Sequence, residues 1–338
     1  MTNSIKVNTA RSYDIIIKDG GFDEAGVLLK NIAKSNRCHI VSDSNVAPLY
    51  ARQLQKSLSE NGIESTLFIF PAGEESKNPN TLTSILNFLI DSDADRSDFL
   101  IALGGGVTGD LTGFAASCYM RGMSFIQIPT SLLSMADSSV GGKTAIDMAG
   151  KKNIVGAFWQ PSLVICDPLL LNTLPDVEYK SGLAECIKAG IIGDEKLFNM
   201  FSQENPDIQE IIYRSIAVKK SIVEQDEFDQ GERMILNLGH TYAHAIESLG
   251  NFTIKHGYAV ATGMCIATKK AYEKGICTRA VRDEIIETIA KNGLPTSCEY
   301  SDEAIHNTIR YDKKRIGDKI NMIYPETIGH CVIRLEDI

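Results

Sequence analysis

No apolar run in this chain approaches the roughly 20 residues that a helix needs to span a bilayer, so a membrane partner is not expected. The first residues, Met1 to Lys6, are polar and lack the apolar stretch of a secretory signal; a cytoplasmic protein is therefore expected. Positive charge is in deficit. Lys and Arg number 34 against 43 Asp and Glu, a formal net charge of -9. Nucleic-acid binders are usually basic, so no nucleic-acid partner is expected. None of the eight cysteines forms a C-x-x-C pair, which removes the zinc-finger and thioredoxin readings. The cysteines are expected to be small buried side chains in a reducing compartment. Internal repeats, low-complexity tracts and long linkers are also missing.

What remains is an ordinary globular composition, 43% apolar and 23% charged, over 338 residues. At about 150 residues per domain that length suggests roughly two domains, each able to bury a core without disulfides. The first half alternates short apolar runs with helical patterns. Strands are predicted at Tyr13–Ile17, Cys38–Val41, Leu67–Phe70, Phe99–Leu103, Phe125–Ile128 and Leu163–Cys166. Helices are predicted at Phe22–Lys34, Val46–Asn61 and Pro79–Ile90. Short apolar strands between helices imply a mainly parallel, doubly covered, Rossmann-like α/β sheet. Beyond residues 160–175 the pattern is helical, at Glu195–Gln203, Ile208–Gln225, Thr241–Leu249, Ala259–Lys274 and Val281–Asn292, with one late strand signal at Ile320–Tyr324. The expected division is an α/β domain over residues 1–165 and an all-helical domain over residues 166–338.

Leu100–Leu103 runs into Gly104-Gly-Gly-Val-Thr-Gly109-Asp110. A buried strand, a glycine cluster and a helix start make a phosphate cradle, because bare backbone approaches the anion and the helix N-terminus offers free N–H groups. The alternative is a tight, crowded turn. The run is not a P-loop, because no Lys-Ser/Thr follows the glycines at the required distance; a nucleotide pyrophosphate is the expected ligand. Asp43 follows a predicted strand and is open to two roles, ribose acceptor or helix N-cap. Gly73-Glu-Glu-Ser-Lys77, after another strand, is a weak signal by itself.

His240 and His244 stand four apart in a helical stretch, and His256 follows closely. Side chains at that spacing share one helix face and can reach one ion. Glu185 lies on a mostly apolar helix, where a buried carboxylate wants a cation. Two histidines and a carboxylate form a known catalytic zinc arrangement, but spacing alone does not say which two histidines bind. Lys188, three residues after Glu185, points to the same place. Arg121, Lys143, Lys152, Lys219, Arg233, Lys313 and Lys314 flank these motifs and suggest an anionic small substrate; Lys151 and Lys220 are read as solvated surface charges.

These residues together resemble the 3-dehydroquinate synthase family over nearly the whole chain. The resemblance rests on Gly104–Asp110, Pro129-Thr-Ser131, Asp137 with Gly141-Gly-Lys143, Lys152-Asn153, Leu171–Pro175, Ser181–Lys188, Asn237–His244, His256-Gly257 and Asp312-Lys-Lys314. It implies a dehydroquinate synthase-like fold, with NAD held by the first domain and a divalent metal, zinc or cobalt, held by the second. By that resemblance Glu185, His240 and His256 are the metal ligands, which overrules the simpler idea that both helix histidines bind. NAD is expected at Asp43, Glu74, Lys77, Gly105, Gly106, Val107, Asp110, Thr130, Ser131, Lys152, Leu170 and Thr173. Substrate is expected at Arg121, Asp137, Lys143, Asn153, Lys188, Lys219, Arg233, Asn237 and the Lys313-Lys314 pair. His244, Lys143, Lys188, Asn153 and Asp229 are the expected catalytic groups. Asp229 stands where the family usually has Glu, one methylene longer. A homodimer is expected as well.

The implied substrate is 3-deoxy-D-arabino-heptulosonate 7-phosphate, converted to 3-dehydroquinate and phosphate in the shikimate pathway of aromatic biosynthesis. The resemblance implies transient oxidation by NAD, phosphate elimination, return of the hydride, ring opening and an intramolecular aldol closure. Two alternatives share the plan: a related cyclase making an inosose or valiolone ring, and a metal-dependent alcohol or glycerol dehydrogenase.

Overall fold

The protein is described by a computed structural model that covers residues 3–32, 34–310 and 319–337. It comprises two compact units, Met1–Leu174 and Pro175–Ile338.

The first unit contains strands β1 (Asn3–Val7), β2 (Tyr13–Ile17), β3 (Arg37–Asp43), β4 (Glu64–Phe70), β5 (Phe99–Gly104), β6 (Ser124–Pro129), β7 (Lys143–Met148), β8 (Lys151–Phe158) and β9 (Leu163–Cys166). Its helices are α1 (Ala25–Lys30), α2 (Ala47–Glu60), α3 (Pro79–Asp91) and α4 (Gly106–Cys118). Seven strands form one sheet in the order β1-β2-β9-β6-β5-β3-β4. Every pairing is parallel except β1 with β2. All residues of β5 and β9 are buried, as continuous apolar strands covered on both faces should be. The expected α/β class with a mainly parallel sheet is therefore what the chain adopts.

Three local features depart from the sequence reading. Strand β1 was not anticipated. The helix expected at Phe22–Lys34 is only six residues long. Asp167 explains the shortening: its carboxylate accepts the Gly20 and Phe22 N–H groups at 3.1 and 3.0 Å and holds that stretch in turns. The β7–β8 hairpin was also missed. It turns through Ala149-Gly150, both at positive φ, where hairpins more often show Asn-Gly.

The second unit is built on α5 (Asp176–Gly193), α6 (Glu195–Met200), α7 (Ile208–Gln225), α8 (His240–Leu249), α9 (His256–Glu273), α10 (Arg279–Lys291) and α11 (Asp302–Arg310). The helical expectation holds with one addition, an antiparallel hairpin of β10 (Lys319–Thr327) and β11 (His330–Asp337), which extends the late strand signal. Among the described residues no helix is long and apolar enough to cross a membrane. All eight cysteines are free thiols; six are buried, Cys298 is half-buried and Cys118 is exposed.

At the amino ends of the strands lies a buried polar cluster. His39, fully buried, makes Nδ1 contact with the Thr66 hydroxyl at 2.8 Å and Nε2 contact with Asp98 at 3.3 Å. Asp98 also accepts from the Ser35 hydroxyl, Arg37 Nε and the Asp95 N–H. Burial lowers the His39 pKa, outweighing the neighbouring Asp98 carboxylate. The folded state thus keeps His39 neutral, while an unfolded histidine protonates below about pH 6.5. Unfolded chains bind the extra proton, so this contribution is complete above that pH and is lost as pH falls through it. Urea unfolding followed by Trp159, the sole tryptophan, should show a lower midpoint at pH 5.5 than at 7.5. His39→Gln should flatten that difference; an unchanged slope in the variant rules His39 out as its source.

Candidate functional site

The first unit contains a reversal of strand order. From β3 the chain crosses to β4 on one side, and from β5 it crosses to β6 on the other. The neighbouring carboxyl ends of β3 and β5 are therefore a topological switch point, where open parallel sheets bind ligands. Asp43 ends β3 and Gly104 ends β5. Helix α4 starts at Gly106 with no side-chain cap, leaving its first N–H groups for a ligand. The glycines divide by cause. A Cβ on Gly104 would sit 2.4 Å from Thr108 Oγ1, so crowding within the turn demands that glycine. At Gly105 the nearest atom, Ser131 Oγ, would be 3.5 Å away, an ordinary contact. Protein packing does not require Gly105, so its bare backbone is open to the close approach of a ligand.

Asp43 caps locally: Oδ1 accepts from the Asn45 and Val46 N–H groups, and Oδ2 accepts from the Thr108 hydroxyl at 3.3 Å. A carboxylate retains acceptor capacity beyond these bonds, so capping and ribose binding are compatible. Thr130 donates its N–H to Gly104, and Ser131 is hydrogen-bonded to Ser134. Lys77 is buried; its ammonium meets Asp110 at 2.5 Å and Asn153 Oδ1 at 2.5 Å. Burial opposes its charge, yet Asp110 and Glu74 raise its pKa, so a cation persists there. Asn153 is further tied through its N–H to Asp147. Lys152 stands 3.9 Å from Glu74. Tyr50 donates to the Leu170 carbonyl and is hydrogen-bonded to the Thr173 hydroxyl. Val107 lies in the first turn of α4. Lys143 opens β7 and is exposed, and Asp137 lies in the irregular turn before it. Arg121 is exposed at the far end of α4, about 20 Å along the helix from Gly106, so its own unit does not bring it to the glycine turn.

The second unit gathers the metal candidates. Glu185 on α5, His240 at the start of α8 and His256 at the start of α9 place one donor atom each within 4.8 Å of the others. His244, one turn beyond His240, is not in that set; its ring meets the His240 ring edge-on at 5.7 Å between centroids. Glu185 Oε1 lies 3.7 Å from His240 Nε2 and 3.3 Å from His256 Nε2. Donors bonded tetrahedrally at about 2.0–2.1 Å are roughly 3.3 Å apart, so the residues present fit a zinc-sized ion. Both Glu185 oxygens are buried and make no hydrogen bond, though the Lys188 ammonium forms an ion pair with Oε2.

The electrostatics agree. Burial pushes Glu185 up, but Lys188, His240 and His256 outweigh it and hold the carboxyl well below its usual range. Burial, aided by Lys188, keeps His240 far below 6.5, hence neutral with a free lone pair. Its Nδ1 contacts the Leu238 carbonyl at 3.2 Å, which leaves Nε2 for the ion. His256 differs. Burial opposes its charge, but the neighbouring carboxylates of Glu185 and Glu247 raise its pKa to about 9.

Elsewhere in the helical unit, Lys219 lies half-buried on α7 and Asn237 half-buried in the turn Glu232–Asn237. Arg233, in the same turn, is buried and donates to the Glu227 carbonyl. Asp226 accepts three backbone N–H groups, from Gln230, Gly231 and Arg233, and so shapes the loop that carries Asp229. Asp229 itself has φ +55°, a left-handed backbone that aspartate tolerates better than most residues. Lys220, read from the sequence as a solvated surface charge, is half-buried and pairs with Glu224 at 3.0 Å. Lys313 and Lys314 lie outside the described residues.

Sequence reasoning missed two residues, Tyr50 and Glu247. Glu247 was findable: it stands seven residues, two helical turns, after His240, and the cost of burying a lone carboxylate that singled out Glu185 applies to it equally.

A parallel-sheet unit with a topological switch point, and a helical unit with a two-histidine, one-carboxylate cluster, define a dehydroquinate synthase-like protein. The family models for the 3-dehydroquinate synthase N-terminal and C-terminal regions match residues 67–181 and 182–315. The chain is 42% identical to a 3-dehydroquinate synthase of Clostridium beijerinckii, with 97% of this chain and 96% of that protein covered. It belongs to the 3-dehydroquinate synthase family. Two solved structures share its fold at 24% identity. One is 2-deoxy-scyllo-inosose synthase complexed with carbaglucose-6-phosphate, NAD+ and Co2+ (TM-score 0.88, 99% and 96% covered). The other is 2-epi-5-epi-valiolone synthase from Streptomyces hygroscopicus with NAD+ and Zn2+ bound (TM-score 0.87, 99% and 95% covered).

The three helices that carry the ligands meet through bare backbone. A Cβ on Gly257 would fall 2.0 Å from the Ser181 carbonyl oxygen of α5. Gly257→Ala should therefore push α9 off α5, cost about 1–3 kcal/mol, and lower both Tm and bound-metal content. Full metal retention in that variant would detach the helix spacing from the site.

Proposed function

We infer that this chain converts 3-deoxy-D-arabino-heptulosonate 7-phosphate to 3-dehydroquinate and inorganic phosphate, in aromatic biosynthesis by the shikimate route. The observation that carries the reading is end-to-end 42% identity to a 3-dehydroquinate synthase. Convergence of Glu185, His240 and His256 supports it. The cyclases that make other rings are only 24% identical, and that likeness extends to the fold alone.

When bound, the dication supplies a Lewis acid to a sugar hydroxyl, and NAD supplies a reversible hydride acceptor. In this reading the side chains do the rest. Gly105, Gly106 and Val107 present N–H groups to the pyrophosphate, with Asp43, Thr130, Ser131, Leu170 and Thr173 around them. Lys77 holds Asp110 and Asn153 in place. Lys143, Lys188, Lys219 and Arg233 bind the substrate's phosphate and carboxylate and stabilise negative charge. Asn153 and Asn237 orient hydroxyl groups. An imidazole is the side chain suited to moving protons near neutral pH, which is the role given to His244. Asp229 serves as a carboxylate acid/base from its left-handed loop position. A homodimer and a cytoplasmic location complete the reading and rest on the family resemblance; sedimentation of the purified chain tests the former.

The decisive assay supplies the heptulosonate phosphate with substoichiometric NAD and Zn2+ or Co2+. The expected result is many turnovers of phosphate release, 3-dehydroquinate as the carbocycle, and no net NADH. Stoichiometric NADH would indicate a dehydrogenase instead, and an inosose or valiolone product a sister cyclase.

Two sets of variants sharpen this. Glu185→Gln or His256→Ala should abolish turnover with metal content well below one equivalent; normal metal content with retained activity would reject these ligands. Lys143→Ala should raise the KM for the sugar phosphate roughly tenfold or more, the scale of one lost charge-assisted hydrogen bond, and leave NAD affinity near its original value. Equal loss of both would move Lys143 away from the substrate.

A further inference from the structure

The two candidate histidine ligands are held differently. His240 turns its Nδ1 to a neutral group, the Leu238 carbonyl, at 3.2 Å. His256 lies between two carboxylates: Nε2 is 3.3 Å from Glu185 Oε1, and Nδ1 is 3.4 Å from Glu247 Oε1. Glu247 is 2% exposed, on α8, two turns beyond His240. A side chain so deeply buried and still ionisable is expensive unless it meets cations or donors. Its backbone carbonyl separately accepts the Phe252 N–H at 2.8 Å, a bond that side-chain substitution leaves in place.

We propose that Glu247 is a positioning residue for the metal centre: its carboxylate accepts the Nδ1 proton of His256, fixing the tautomer and ring rotation that aim Nε2 at the ion. The inference rests on reading Glu185, His240 and His256 as a dication site, and deepens it. Three consequences follow from the geometry. Flipping the His256 ring would put Cδ2 in place of Nδ1 and lose the Glu247 contact, and the other tautomer would turn a lone pair onto that carboxylate. The negative charge behind the ring makes the imidazole a stronger donor. And α8 contributes to the site at both ends, with His240 as a ligand and Glu247 as the support of a ligand on α9.

The test uses the full chain loaded with Co2+, read by its visible d–d absorption and by competition with a chelator. Glu247→Met keeps the side chain's length without an acceptor; Glu247→Gln keeps an acceptor oxygen without the charge. Glu247→Met should lose about 10- to 100-fold in Co2+ affinity, the usual effect of removing an outer carboxylate, and its absorption bands should shift. Glu247→Gln should recover most of the affinity and the parental spectrum. NAD affinity should be the same in all three proteins, which a general loss of structure would not allow. Parental affinity and spectrum in Glu247→Met would overturn the proposal, as would equal losses in both variants. Should Glu247→Met fail to fold, a shifted spectrum in Glu247→Gln would overturn it alone. Glu185→Gln, run beside them, separates the two levels. If it too binds Co2+ like the parent, the metal reading fails; if it loses the ion while Glu247→Met does not, only the positioning role fails.

Discussion

A carboxylate out of reach of water governs the helical unit. Glu185 is 3% exposed, and isolating such a charge costs several kcal/mol even after the surroundings relax. The surrounding helices are arranged to meet that cost. Lys188 approaches from the same helix, and His240 and His256 approach from two others. The same grouping that makes the carboxylate tolerable makes it a ligand set. Stability and chemistry here have one source, and the glycines of α9 are part of it. Gly257 lies against the Ser181 carbonyl, and Gly263 against that of Gly239, where a Cβ would be 2.2 Å away.

The α/β unit solves a different problem. Its sheet needs no charge to cohere, since β5 and β9 are wholly buried and apolar. The candidate site residues Asp43, the Gly104–Gly106 turn and Lys77 lie at or just beyond the carboxyl ends of the strands. The polar cluster of His39 and Asp98 sits at the opposite ends and concerns stability. One buried ammonium, that of Lys77, ties a residue expected at the cofactor, Asp110, to one expected at the substrate, Asn153.

Much of this was legible beforehand, for physical reasons. Phe99–Leu103 and Leu163–Cys166 could be read because buried parallel strands are continuous apolar runs. The glycine turn could be read because few other contexts tolerate three adjacent glycines. Glu185 stood out as a carboxylate on an apolar helix. What could not be read was whatever depends on contacts distant in sequence. Helix periodicity made His240 and His244 the natural pair, and only the approach of α9 brings His256 to Glu185 instead. The short helix α1 depends on Asp167, more than 140 residues away in sequence. The β7–β8 hairpin lacked the usual Asn-Gly signal. Asp229 could be noted as a departure from the family's Glu, but not as a residue in a left-handed loop.

The helix contacts at Gly257 and Gly263 have one more implication. Because the three donors sit on packed helices rather than on loops, their spread is set by backbone-to-backbone distance and cannot widen to suit a larger guest. Two nitrogens and one oxygen at this spacing favour borderline ions such as zinc and cobalt. Calcium, which asks for about six to eight oxygens at 2.3–2.6 Å, would be poorly matched by this donor set. Any ion selectivity of this cluster would therefore depend on how closely its helices approach one another.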